Sequence, residues 1–99
     1  MTDREHTRRL RAQAHHLKPV VLVGQNGVTP AVVEEIDRAL DDHELIKVRM
    51  RGHDRESRAA AVSEICDQLE AEKVQLIGGT AVFYRQNKER IDAQRGDRK

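Results

Sequence analysis

The sequence predicts an α/β chain of the two-layer α+β kind, in the order α-β-α-β-α-β-β, built on a mixed four-stranded sheet. Three observations predict it. Apolar residues switch along the chain between helical spacing and strict alternation. Proline and glycine punctuate the switches. The last two apolar runs are separated only by Gly78-Gly79, a two-residue hairpin signal. Helices between the earlier strands imply crossover connections and parallel pairing, whereas the closing hairpin is antiparallel.

The first helix is expected over 3–17, with Leu10, Ala14 and Leu17 on one face. Arg4, Arg8 and Arg11 form a basic row beside them, with Arg9 nearby. Pro19 closes this helix and opens a strand over Pro19–Val23. Thr29 is an N-cap, Pro30 takes the first helical position, and Val28 with Val33 can staple the entry. Val32, Val33, Ile36, Ala39 and Leu40 supply that helix's buried stripe. From Leu45 to Arg51 the pattern alternates strictly. Ile46, Val48 and Met50 face one way, and Leu45, Lys47, Arg49 and Arg51 the other, so one sheet face should be partly exposed and basic. Asp54 or Ser57 caps a third helix that reaches about residue 72 and packs through Val62, Ile65, Cys66 and Leu69. Strands over 74–77 and 80–84 close the domain, which spans 1–85; residues 86–99 form a charged tail expected to be flexible.

Ninety-nine residues suffice for one modest core. With 35% charged and only 2% aromatic residues, that core must be aliphatic and the surface ionic. No apolar run approaches the length of about 18 residues that spans a bilayer. The N-terminus carries charges and no apolar signal segment, and a single cysteine, Cys66, excludes an internal disulfide. A reducing, cytoplasmic setting is expected. The net charge is only +1, but it is distributed in blocks: +3 over 1–18, −5 over 28–44, +3 over 45–58, −3 over 59–79 and +3 over 80–99. Such segregation creates local potentials able to steer a polyanion.

Catalysis is not expected. No GxxxxGK[ST] phosphate loop is present, and no GxGxxG dinucleotide fingerprint. Cys66 lies on an apolar helix stripe, as a packed thiol does. His15 and His16 diverge by about 100° on a helix, a poor metal pair, and His6, His43 and His53 show no ligand spacing. The pairs Glu34-Glu35 and Asp41-Asp42 read as a solvated helix surface. No cofactor, metal or small-molecule substrate is implied.

The strongest functional signal is Gly24-Gln25-Asn26-Gly27, between the first strand and the helix that starts at Pro30. Glycine at both ends lets the chain turn tightly and lets a bulky backbone approach its peptide groups. The following helix adds unpaired N–H groups and a positive dipole end, which suit a phosphate. Several RNA-binding folds clamp a nucleic-acid backbone with such a GxxG loop. A tight strand-to-helix turn with no ligand would also use glycine.

Three segments, in order, resemble one family. They are Ala14-His15-His16-Leu17-Lys18-Pro19 running into Val20–Gly27, His43–Val48, and Gln75–Gly79 through Phe83-Tyr84-Arg85. Together they are similar to the chloroplast RNA splicing and ribosome maturation (CRM) domain, whose stand-alone bacterial form is the YhbY family. The resemblance implies a fold like the C-terminal domain of translation initiation factor 3 with an added N-terminal helix. It implies an RNA-binding protein associated with precursors of the large ribosomal subunit, with large-subunit rRNA as the partner. The family's GxxG loop falls on Gly24, Gln25, Asn26 and Gly27, and its basic neighbours on Lys18, Lys47 and Arg85.

Gln25 and Asn26 carry no charge, so affinity must come from flanking cations: Lys18, Lys47, Arg49 and Arg51, with Arg8 and Arg11 of the first helix. Lys18, Lys47 and Arg51 are expected to converge near the loop. Phe83 and Tyr84 point to opposite faces of the last strand, so at most one could stack on a base, and recognition should rest on phosphates and RNA shape. A monomer is expected. Two alternatives stay open: a protein-binding assembly factor that uses the acidic second helix, and a KH-like RNA module with a non-ribosomal target.

Overall fold

All seven expected elements are present in the computed structural model, which describes residues 3–86. They are α1 (Asp3–Ala14), β1 (Pro19–Val23), α2 (Pro30–His43), β2 (Leu45–Met50), α3 (Arg55–Leu69), β3 (Glu72–Ile77) and β4 (Thr80–Tyr84). The expected tail at 86–99 lies, apart from Gln86, outside the described residues.

The sheet has the order β1-β2-β4-β3. β1 and β2 are parallel, and β4 runs antiparallel to both β2 and β3. The crossover through α3 carries β3 past its neighbour to the edge, and the hairpin returns β4 into the gap, so the two strands that flank α3 are not adjacent. Each strand's alternation divides the core. Val21, Val23, Ile46, Val48, Met50, Ala81 and Phe83 face α2 and α3, where they meet Ile36, Leu40, Val62 and Ile65. On the other face Val74 and Val82 pack with Leu10 and Ala14 of α1, beside Leu45 and Tyr84. Bulges in β1, between Pro19 and Val21, and in β3, between Lys73 and Gln75, shift the alternation by one residue. In β3 this sends Val74 under α1 while Leu76 still joins the larger core.

Two helices stop earlier than expected. α1 ends at Ala14, where the Leu17 N–H donates to the Ala14 carbonyl at 2.9 Å and tightens the last turn. Pro19 disfavours a helical Lys18, and Leu17, expected on the buried stripe, is 38% exposed. α3 ends at Leu69 because Glu70 turns left-handed, at φ 52° and ψ 42°, and returns its N–H to the Cys66 carbonyl.

The left-handed Glu70 is a local cost borne by the chain reversal into β3. It is exposed, so Glu70→Gly should relieve the Cβ strain of about 1–2 kcal/mol, part of which is offset by the greater freedom glycine gives the unfolded chain. A net stabilisation of about 0.5–1 kcal/mol is expected in urea unfolding. Destabilisation by this substitution would contradict the assigned cap.

Candidate nucleic-acid interface

Parallel pairing puts the C-terminal ends of β1 and β2 side by side, and α2 and α3 both start from that edge. The Arg51 N–H extends the ladder by donating to the Val23 carbonyl at 2.9 Å. Beyond it, Gly24–Gly27 closes as a turn, with the Gly27 N–H on the Gly24 carbonyl at 3.0 Å. Gly27 has φ +75°, a region an L side chain enters only with strain. Thr29 then caps α2: its hydroxyl accepts from the Val32 N–H at 3.2 Å, and Pro30 follows at the first helical position. Gln25 and Asn26 are exposed, and their amides make no backbone hydrogen bond among the described residues.

A second loop supports the first. His53 reaches across from the β2–α3 connection and lies 2.8 Å from the Gly24 carbonyl. A carbonyl can only accept, so His53 Nε2 carries the proton. The Gly24 oxygen therefore receives two donors, one from each loop. Arg58 Nη1 donates to the His53 carbonyl at 2.8 Å and fixes that loop to α3. Gly52 lets the loops touch, since a Cβ there would come within 2.8 Å of Gln25 Cγ. The sequence reading missed His53 and Arg58. Their partners are backbone carbonyls, and His53 binds one 29 positions away, so no ligand spacing or local motif could have exposed them.

The two helix starts at this edge are not equivalent. Asp54 caps α3 through the Ser57 N–H at 2.8 Å. That backbone hydrogen bond holds its carboxyl below the usual carboxylate range, aided by the Ser57 side chain and the charge of Arg58. With Glu56 in the first turn, the start of α3 already holds negative charge. α2 begins with a neutral cap and no acid in its first turn. The anion-attracting end left open is that of α2, under the glycine turn.

The expected cations separate into three groups. Arg51 stands at the loop. Lys47 and Arg49 lie back along β2, opposite Pro19 and Leu22 of β1, on the sheet face away from α2 and α3. Lys18 precedes β1, six residues before Gly24, which at strand pitch is about 20 Å. The expected convergence of Lys18, Lys47 and Arg51 at the loop is thus corrected: parallel register places Lys18 and Lys47 at the opposite end of the strands from Arg51. Arg8 and Arg11 also belong to that far end, because α1 packs over Leu45, Val74 and Tyr84. Arg11 Nε donates to the Val74 carbonyl at 3.2 Å, while Arg8 is exposed.

Arg85 is placed elsewhere again. Nη1 donates to Asp37 Oδ1 at 2.7 Å and to the Leu69 carbonyl at 3.0 Å; Nη2 donates to the Asp37 carbonyl at 3.0 Å and to Asp41 Oδ1 at 2.9 Å. These bonds tie β4 to α2 and to the end of α3, so the guanidinium serves the fold. The aromatics are equally committed. Phe83 is fully buried, and Tyr84 is half-buried beside His6, ring centroids 5.4 Å apart. Burial, then the charges of Glu44 and Glu72, pushes the Tyr84 hydroxyl pKa up. Burial likewise pushes up the thiol of Cys66, which packs against the larger core.

Comparison with known proteins agrees with this architecture. The family model of the CRS1 / YhbY (CRM) domain matches residues 2–85. A probable RNA-binding protein of Pseudomonas aeruginosa is 45% identical over 83 residues, covering 84% of this chain and 80% of the relative. An RNA-binding protein of Haemophilus influenzae is 46% identical over 80 residues, 81% of each chain. The solution structure of a Staphylococcus aureus protein, described as a candidate RNA binder, superimposes with a TM-score of 0.78 at 30% identity, covering 89% of this chain and 92% of that one.

The Arg85 cage generates a prediction that separates fold from interface. Arg85→Gln removes charge-assisted bonds in a side chain only 20% exposed and should cost about 2 kcal/mol in urea unfolding. RNA affinity below the unfolding midpoint should stay within twofold of the unmodified protein. A selective loss of RNA affinity with unchanged stability would return Arg85 to the interface.

Proposed function

The chain belongs to the CRS1/YhbY (CRM) domain family, and we propose that it binds RNA by seating backbone phosphate on the Gly24–Gly27 turn. The observation that carries this reading is Gly24. Its φ is not positive, and a Cβ built on it meets nothing within 4 Å. The chain's own conformation and packing do not require glycine at this position. A ligand backbone that must pass close over the turn does. The free amides of Gln25 and Asn26, the open start of α2 and the charge of Arg51 supply the complementary donors and potential. Relatives named for RNA binding support the same partner.

The family resemblance directs the proposal further, to large-subunit rRNA in ribosomal precursors and a role in ribosome assembly. The proposed role is binding rather than catalysis, as the relatives named for RNA binding suggest. The acidic α2 surface, which could instead dock a protein, already gives Asp37 and Asp41 to Arg85. Its remaining charge repels RNA from the helical side and favours contact at the loop edge.

Gly24→Asp tests this directly, because the position carries no positive φ and no close neighbour. The variant should melt as the unmodified protein does, yet lose at least tenfold in affinity for a large-subunit rRNA fragment, about 1.4 kcal/mol, and cease to sediment with ribosomal precursors. Arg51→Gln should flatten the slope of log affinity against log salt by about 0.7. Unchanged binding by a folded Gly24→Asp protein would remove the loop from the site. Binding of precursors no better than of unrelated RNA would remove the ribosomal assignment.

A further inference from the structure

The sheet face away from α2 and α3 is covered by α1 only at one end. From there to the glycine loop it is open, and three of the four large apolar side chains exposed among the described residues stand on its strands: Val20 at 48%, Leu22 at 49% and Ile77 at 65%. The fourth, Leu17 at 38%, lines the groove at its α1 end. In a chain with so few apolar residues to spare, the collection of Leu17, Leu22 and Ile77 on one face is not the scatter of an ordinary surface. The groove along this face is lined by Lys18, Lys47, Arg49, Gln75 and Thr80 with the aliphatic Leu17 and Ile77, and no carboxylate lines it. Leu22, alternating with the buried Val21 and Val23, stands beside it on β1. Cations and aliphatics interleave by register: Arg49 lies opposite Leu22, and Lys47 opposite Pro19, with Val20 in the adjoining bulge.

We propose that this open face is a second RNA-contacting surface, which takes unpaired nucleotides leading to or from the glycine loop. The aliphatic groups carry base faces, and Lys18, Lys47 and Arg49 carry the phosphates between them. The inference rests on the RNA reading of the loop and adds a subsite to it. Charge complementarity selects this occupant. A second copy docked by a two-fold axis would set the same cations against one another, and the segment after residue 86 is itself net positive by sequence. The side-chain period along β2 is about 6.6 Å, comparable with the phosphate repeat of an extended single strand. The result is a platform without aromatic residues, in which apolar contact replaces ring stacking.

The test compares a uridine tetranucleotide, about the length a GxxG loop clamps, with a uridine dodecanucleotide, using the full chain. The unmodified protein should bind the longer probe at least tenfold more tightly. Leu22→Ser with Ile77→Ser should lower dodecanucleotide affinity at least fivefold, leaving tetranucleotide affinity, thermal unfolding and the salt slope unchanged. Lys47→Gln with Arg49→Gln should flatten the dodecanucleotide salt slope by about 1.4. The chain has no tryptophan, so Leu22→Trp provides a lone reporter whose fluorescence the dodecanucleotide should quench. Equal affinity for the two probes, or a serine pair that binds the dodecanucleotide normally, overturns the second surface and leaves the loop reading intact. A serine pair that converts a dimer to a monomer assigns the face to a second copy and also overturns the proposal. Failure of the unmodified protein to bind either probe above the level of Gly24→Asp overturns the loop reading itself.

Discussion

The carbonyl of Gly24 is the point on which the candidate site depends. It receives the Gly27 N–H from its own turn and the His53 ring from the neighbouring loop, at 3.0 and 2.8 Å. Parallel pairing of β1 with β2 makes this possible, because only parallel neighbours end together at one sheet edge. The Arg51 N–H on the Val23 carbonyl carries that pairing to the last residue before the loop. Without the second donor the glycine turn would hang from β1 alone. With it, the exposed amides of Gln25 and Asn26 are held over the start of α2 in one orientation, and preorganisation of this kind reduces the ordering cost of binding a flexible strand.

Charge completes what geometry begins. Much of the charge-block pattern over residues 1–58 becomes two sides of the molecule. Acids of α2 and α3 cover the helical side, where Arg38 and Arg85 neutralise part of them. Cations of the Lys18–Arg51 region occupy the sheet side and the loop edge. A domain of net charge +1 thereby presents a polyanion with one permissive side, and long-range steering becomes orientational as well as attractive.

Local chemistry made much of this legible. Thr29-Pro30, Asp54 and Gly78-Gly79 fixed element boundaries through capping and turn geometry, and strict alternation in β2 identified the basic face before any contact was known. What escaped was non-local. Insertion of β4 between β2 and β3 follows from the order of pairing, which periodicity does not encode. The end of the sheet that α1 covers determines whether Lys18 and Lys47 stand beside the loop or far from it, and one-dimensional spacing is silent on that. Arg85 reads as an interface cation because its acceptors Asp37 and Asp41 lie on another element, and His53 gives no signal because its partner is a backbone oxygen. The early ends of α1 and α3 depended on single residues, Lys18 before a proline and a left-handed Glu70, that a periodic stripe overruns.

The central claim, that an RNA backbone lies on the Gly24–Gly27 turn above the start of α2, is tested most directly by amide nuclear magnetic resonance. The isotope-labelled protein would be titrated with a single-stranded large-subunit rRNA fragment. The account predicts that the amides of Gln25, Asn26 and Gly27 show the largest shifts, followed by His53 and the first turn of α2, with the acidic outer surface of α2 unmoved. Saturable RNA binding that leaves those three amides in place, or shifts centred on α2 and α3 instead, would contradict it.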